Sequence, residues 1–98
     1  MSKNECIQLL KEILPALERE YSLSYLGLFG SFASNTFREK SDVDVLVSFT
    51  KPPSLFQLVE IEKKIKAQLN RKVDVILKKA VDSDFYNRIS KDLIEIKK

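Results

Sequence analysis

Apolar residues along the 98-residue chain recur at two different spacings, and the switches between them divide it into elements. Ile7, Leu10, Ile13, Leu14 and Leu17 follow the three-and-four spacing of a helix with one apolar stripe. Ser2-Lys3-Asn4-Glu5 opens that helix as a capping box. Pro15 falls inside it and removes one amide donor while crowding the preceding turn. A kink is expected there, or a break followed by another turn through Glu20. Tyr25-Leu26-Gly27-Leu28-Phe29 reads as a buried strand ending at Gly30, and Ser31 to Ser34 as the start of a short helix. Asn35 to Ser41 is a polar connection. Val43, Val45, Val47 and Phe49 then alternate with Asp42, Asp44, Leu46 and Ser48, the period of a strand. Pro52-Pro53 ends it.

Ser54-Leu55-Phe56-Gln57 is a second capping box. Leu55, Leu58, Ile61, Ile65 and Leu69 form the stripe of a long helix to about Asn70. Val73, Val75 and Leu77 alternate with Asp74 and Ile76 as a third strand. Asp82 or Ser83 caps a last helix through about Lys91, and Leu93 to Ile96 reads as extended. The strand–helix–strand passage from Val43 to Leu77 has the length of a crossover, which predicts that its two strands run parallel. The expected fold is a single α/β (α+β) domain over residues 1–98. Its small mixed sheet has about three to four strands, with helices mainly on one face.

Composition adds little to this and excludes more. With 44% hydrophobic and 32% charged residues and two glycines, the chain reads as ordered. Cys6 is the single cysteine, so no internal disulfide is possible; it lies beside the first helical stripe and is expected to be inert. No leader pattern or membrane-length apolar run is visible, which makes the cytoplasm the expected location. The net charge of +3 is uneven. Residues 1–50 hold five Lys/Arg and seven Asp/Glu, hence −2, and residues 51–98 hold twelve and seven, hence +5. Such a basic half could attract phosphates or nucleic acid. The competing reading is a solvated helix face carrying Lys63, Lys64, Lys66, Arg71 and Lys72. That reading is preferred, because Glu60 and Glu62 lie among these residues and no aromatics interleave them. Tyr21, Tyr25, Phe29, Phe32 and Phe37 read as core and pocket walls, and Phe85-Tyr86 as helix packing.

Candidate chemistry sits in the strands. Side chains at i and i+2 of a strand share a face, so Asp42 and Asp44 point together and away from the valines. Asp74 is flanked by valines in the same way. Asp42 alone could equally belong to a turn, and all three could line an exposed face. Yet aspartate is a poor strand former, and two at alternate positions lose propensity without a structural return. If the strands are neighbours, a cation must offset the like charges. The chain has no histidine, so oxygen ligands dominate and suit Mg²⁺ or Mn²⁺. Gly30-Ser31 follows a buried strand, where glycine admits a close ligand and serine offers a hydroxyl and an N–H to phosphate; the same pair is more often a plain turn and cap.

Leu28-Phe29-Gly30-Ser31, ten residues, then Asp42-Val43-Asp44 resembles the G-S-x10-D-x-D signature of the polymerase-beta-like nucleotidyltransferase superfamily. The following Val45-Leu46-Val47, and a third aspartate in Lys72-Val73-Asp74-Val75-Ile76-Leu77, look most like its minimal nucleotidyltransferase (MNT) members. The resemblance spans Tyr25 to Leu77. It implies that Asp42 and Asp44 bridge two divalent ions about 3.5–4 Å apart, with Asp74 on the ion that binds the attacking hydroxyl. Gly30, Ser31, Ser34 and Arg38 are the implied nucleotide-binding residues, and ATP the implied donor. Such proteins usually read G-S-x-A-R-G, whereas Ala33 is followed here by Ser34-Asn35; Arg38 or Lys40 are candidates to replace the missing cation. Family members often pair with a HEPN-domain toxin as its antitoxin, and some transfer AMP to a toxin tyrosine. The implied function is therefore Mg²⁺-dependent transfer of AMP to a HEPN-type partner in a homo- or hetero-oligomer, with nucleic acid and membrane not expected as partners. The alternatives are a catalytically weak module that neutralises its partner by contact, and transfer to a small hydroxylated compound.

Overall fold

The computed structural model describes residues 1–98. Its order is α1 (Lys3–Tyr21), β1 (Leu23–Phe29), α2 (Gly30–Ser34), β2 (Val43–Phe49), α3 (Leu55–Leu69), β3 (Val73–Leu77), one 3-10 turn (Lys78–Ala80), α4 (Ser83–Ser90) and β4 (Ile94–Lys97). Both capping boxes form. Ser2 Oγ accepts from Glu5 N at 3.0 Å and Ser54 Oγ from Gln57 N at 3.2 Å, and each partner side chain returns a bond to the cap amide.

The expected break at Pro15 does not occur, and α1 runs through it for 19 residues. Proline deletes only the bond to the Lys11 carbonyl, and both residues lie on the exposed side, where water takes its place. The buried stripe holds Cys6, Leu10, Leu17 and Tyr21, so Cys6 lies within it rather than beside it. The first strand begins at Leu23, two residues before the expected start. A register shift between Leu23 and Tyr25 turns Leu23 into the core.

The four strands lie in the order β3-β2-β1-β4. The crossover through α3 makes β2 and β3 parallel, as their spacing predicted, while β1 pairs antiparallel with both β2 and β4. The valine face (Val43, Val45, Val47 and Val73) packs with Leu26 and Leu28 under α1 and α3. Those two helices run antiparallel: Tyr21 Oη donates to Glu60 at 3.0 Å, and Gln68 donates to the Leu9 carbonyl at 3.3 Å. Ion pairs Lys64–Glu20 and Lys97–Glu18 tie α3 and β4 to α1. The opposite face (Tyr25, Phe29, Leu46) is covered by α4 and its flanks, through Phe85, Tyr86, Ile89 and Leu93. Helices thus lie mainly on one face, with α4 alone on the other. No helix is long and apolar enough to cross a membrane.

Candidate functional site

Three strands meet at one end of the sheet: β1 finishes there, and β2 and β3 both begin. Phe29 pairs with Asp44, and Asp44 with Asp74, so the three residues lie in one row across the sheet. Residues directly opposite each other share a face. Both carboxylates therefore stand on the face that Phe29 and Leu46 share with α4, and the valines beside them enter the other layer. Asp42 lies two residues ahead of Asp44, at the mouth of β2.

Asp44 is half-buried and Asp74 exposed. Burial pushes the Asp44 carboxyl up to about 6; the charges of Asp74 and Asp42, and a hydrogen bond with Asp74, push the same way. Uncompensated negative charge is concentrated at this end of the sheet. Only Asp42 meets a cation, with Oδ2 at 3.8 Å from Lys72 Nζ, a solvent-exposed pair of little energy. No three acidic or thiol side chains are assembled closely enough to enclose a metal ion. The donor chemistry nevertheless fits a hard cation: Asp44 and Asp74 pair across the ladder with Asp42 two residues ahead, the chain has no histidine, and its one thiol is in the core.

Gly30 is required where it stands. Its φ is +75°, in the left-handed region, and a Cβ added there would lie 2.2 Å from Asp44 Oδ2. The residue after β1 is thus pressed against the carboxylate of β2. Ser31, half-buried, follows in the first turn of α2. Ser34 Oγ lies 3.4 Å from the Ser31 carbonyl and 2.8 Å from Thr36 Oγ1. Gly30 and Ser34 line an open groove of about 350 Å³ whose other wall is Phe85, Arg88, Ile89 and Asp92.

The structure gathers Asp42, Asp44, Asp74 and Gly30, with Ser31 and Ser34 next to them. Arg38 is not in this group: it is exposed in the connection after α2, its amide donating to Ser41 Oγ at 2.7 Å, and it does not line the groove. Two arginines make contacts that the sequence reading did not assign to them. Arg71, read as part of a solvated face, donates to the carbonyls of Glu39 and Ser41 at 2.8 and 2.9 Å. It also lies 5.1 Å over the Phe32 ring, and Phe37 stacks on that ring at 4.1 Å. The connection that delivers Asp42 is thereby tied to the end of α3. Arg88 reaches the groove from α4. Neither has a local signal, because both act on residues remote in sequence.

Comparison with known proteins bears on the family and the fold. The model of the nucleotidyltransferase domain family matches residues 10–97. Protein adenylyltransferase MntA of Thermococcus cleftensis is 30% identical over 91 residues, 89% of this chain and 92% of its own. A toxin–antitoxin crystal structure with AMP-PNP superposes with a TM-score of 0.69 at 21% identity, over 98% of this chain and 73% of that one. So does the structure of a tri-AMPylated Shewanella oneidensis HEPN toxin in complex with its MNT antitoxin, with a TM-score of 0.65 at 18% identity, over 92% and 71%. At these identities the two structures establish the fold alone. The family match covers nearly the whole chain and includes the row of strands that carries the aspartates, and the chain accordingly belongs to the nucleotidyltransferase-domain family.

Proposed function

We propose that this nucleotidyltransferase transfers AMP from ATP to a hydroxyl of a HEPN-type partner protein in the cytoplasm and so restrains that partner. The observation that carries the reading is the Asp44–Asp74 pair across the parallel ladder, with Asp42 beside it and Gly30 against it. Asp42, Asp44 and Asp74 would hold Mg²⁺, two ions in this reading, with Mn²⁺ fitting the same oxygens; the bound metal supplies charge neutralisation for the phosphates and the attacking oxygen.

The remaining work belongs to the chain. Gly30 lets the nucleotide approach the backbone, and Ser31 and Ser34 offer hydroxyls to its phosphates. Asp74 is the exposed carboxylate, faces the incoming acceptor and takes the hydroxyl proton. The acceptor oxygen bonds to the α-phosphorus as the bond from that phosphorus to the bridging oxygen breaks, and pyrophosphate leaves with the electron pair. Holding the two reactants in line accounts for much of the acceleration.

In this reading a partner protein presents the acceptor hydroxyl. Leu55, Phe56 and Val59 on α3 are 77%, 83% and 46% exposed, an apolar patch of the kind that protein contacts cover. The relative named as a protein adenylyltransferase and the antitoxin complexes of the same fold support a HEPN-type protein in that role.

The test is to incubate the purified chain with ATP, Mg²⁺ and the product of its neighbouring gene, and to weigh both proteins. An added AMP on the partner, absent with Asp42→Asn, Asp44→Asn, is the expected result. The absence of a preassembled metal group favours a second reading, neutralisation by contact. A stable complex without added mass selects it.

A further inference from the structure

A nucleotide whose α-phosphorus lies at the carboxylates has two more phosphates to place, carrying about three negative charges beside three aspartates. Those phosphates need a cation. Lys72 stands at Asp42, Arg71 is committed to two backbone carbonyls, and Arg38 and Lys40, exposed like Arg88, lie in the connection and do not line the groove. The groove that starts at Gly30, the residue pressed against Asp44, contains one cation among its lining residues: Arg88.

Its position is held from behind. Arg88 Cζ lies 5.7 Å over the Phe85 ring, and Phe85 meets Phe29 edge-to-face at 6.0 Å and 85°. Phe29 immediately precedes Gly30, so one aromatic contact couples the guanidinium on α4 to the end of β1. No carboxylate within 4.0 Å claims Arg88; Asp92 lines the same groove without forming an ion pair with it. A guanidinium presents a planar fork of donors matched to phosphate oxygens.

We infer that Arg88 binds the β- and γ-phosphates of the nucleotide in the groove between Gly30, Ser34 and α4. This rests on the nucleotidyl-transfer reading above and extends it to a residue of α4. Asp92 opposes the same phosphates and sets how tightly they are held. Arg88 also lies in the last turn of α4, where any cation favours the helix dipole. A purely structural role of that kind would not discriminate between nucleotides.

The experiment measures the affinity of the full chain for ATP and for AMP by calorimetry, with Mg²⁺ present, for the parent, Arg88→Gln, Arg88→Lys, Asp92→Asn and the charge control Lys91→Gln. A charged hydrogen-bonded contact corresponds to about a ten- to hundredfold effect. Arg88→Gln is expected to lose about that much ATP affinity while AMP binding stays put. Arg88→Lys should recover part of it, Asp92→Asn should bind ATP more tightly, and Lys91→Gln should match the parent. Thermal melts establish that each variant is folded. If folded Arg88→Gln binds ATP like the parent, the inference is overturned, and the functional reading survives provided that the parent still labels its partner. A parent that binds no ATP overturns both.

Discussion

Asp44 and Asp74 face each other across the parallel ladder of β2 and β3, one register step beyond the Val43–Val73 pair. The like charges are adjacent because the crossover through α3 returns the chain beside β2 in register. Burial of Asp44, reinforced by the charges of Asp74 and Asp42, holds its carboxyl up at about 6. A cation at this end of the sheet offsets those charges, which gives the pair consequences that can be measured without any acceptor.

The first is pH-dependent stability. Asp44 is held up at about 6 against an ordinary 3.8, so the folded chain keeps a proton that the unfolded chain releases. Stability from this group is complete below the ordinary value and is lost as pH rises through about 6. Without divalent ions, Asp44→Asn should therefore melt several degrees above the parent at pH 8 and level with it at pH 4. Adding Mg²⁺ should raise the parent's melting temperature and leave that of Asp44→Asn unmoved. Calorimetric melts at both pH values decide it, and equal melting temperatures at pH 8 would show that Asp44 bears no excess charge cost.

Gly30→Ala is a steric probe of the same contact. A methyl 2.2 Å from Asp44 Oδ2, on a backbone at φ +75°, must displace either α2 or the carboxylate. We expect a loss of about 1–3 kcal/mol of stability and about a hundredfold fall in transfer rate, since misplacement by an ångström costs that much. Denaturant unfolding and single-turnover labelling measure the two effects. A variant with parental turnover would separate Gly30 from the site.

Arg71→Lys keeps the charge but loses the paired contacts to Glu39 and Ser41 and the stacking on Phe32. The prediction is about a tenfold drop in kcat and faster proteolysis between residues 35 and 42. Parental values for both would mean that the connection holds Asp42 without help.

Cys6 is fully buried, and burial pushes its thiol up to about 11. A thiol-specific reagent should leave the native chain unmodified at pH 8 and label it stoichiometrically in denaturant. Fast labelling of the native chain would place α1 elsewhere.

Much of the fold was legible from local chemistry. Ser2 and Ser54 announce their helices because a capping box acts within four residues, and the valines at 43, 45 and 47 mark a strand because alternation is a property of the backbone. The Pro15 break failed as an expectation because the cost of one missing amide bond depends on which side of α1 faces water, and the pattern alone did not weigh that. Asp42, Asp44 and Asp74 stood out for a similar local reason: aspartate is out of place inside apolar strands.

Residue types and their spacing were thus enough to locate the elements to within a few residues, to predict the parallel pairing of β2 with β3 and to single out the acidic residues. These follow from dihedral preference, periodicity and chain length, all short-range quantities. Tertiary structure alone decided that Asp44 lies opposite Asp74, that Gly30 presses on Asp44, that Arg71 secures the connection before β2 and that Arg88 enters the groove beside Gly30. Those contacts join residues up to 58 positions apart, Gly30 to Arg88 being the longest, and their energies exist only once packing has closed the distance.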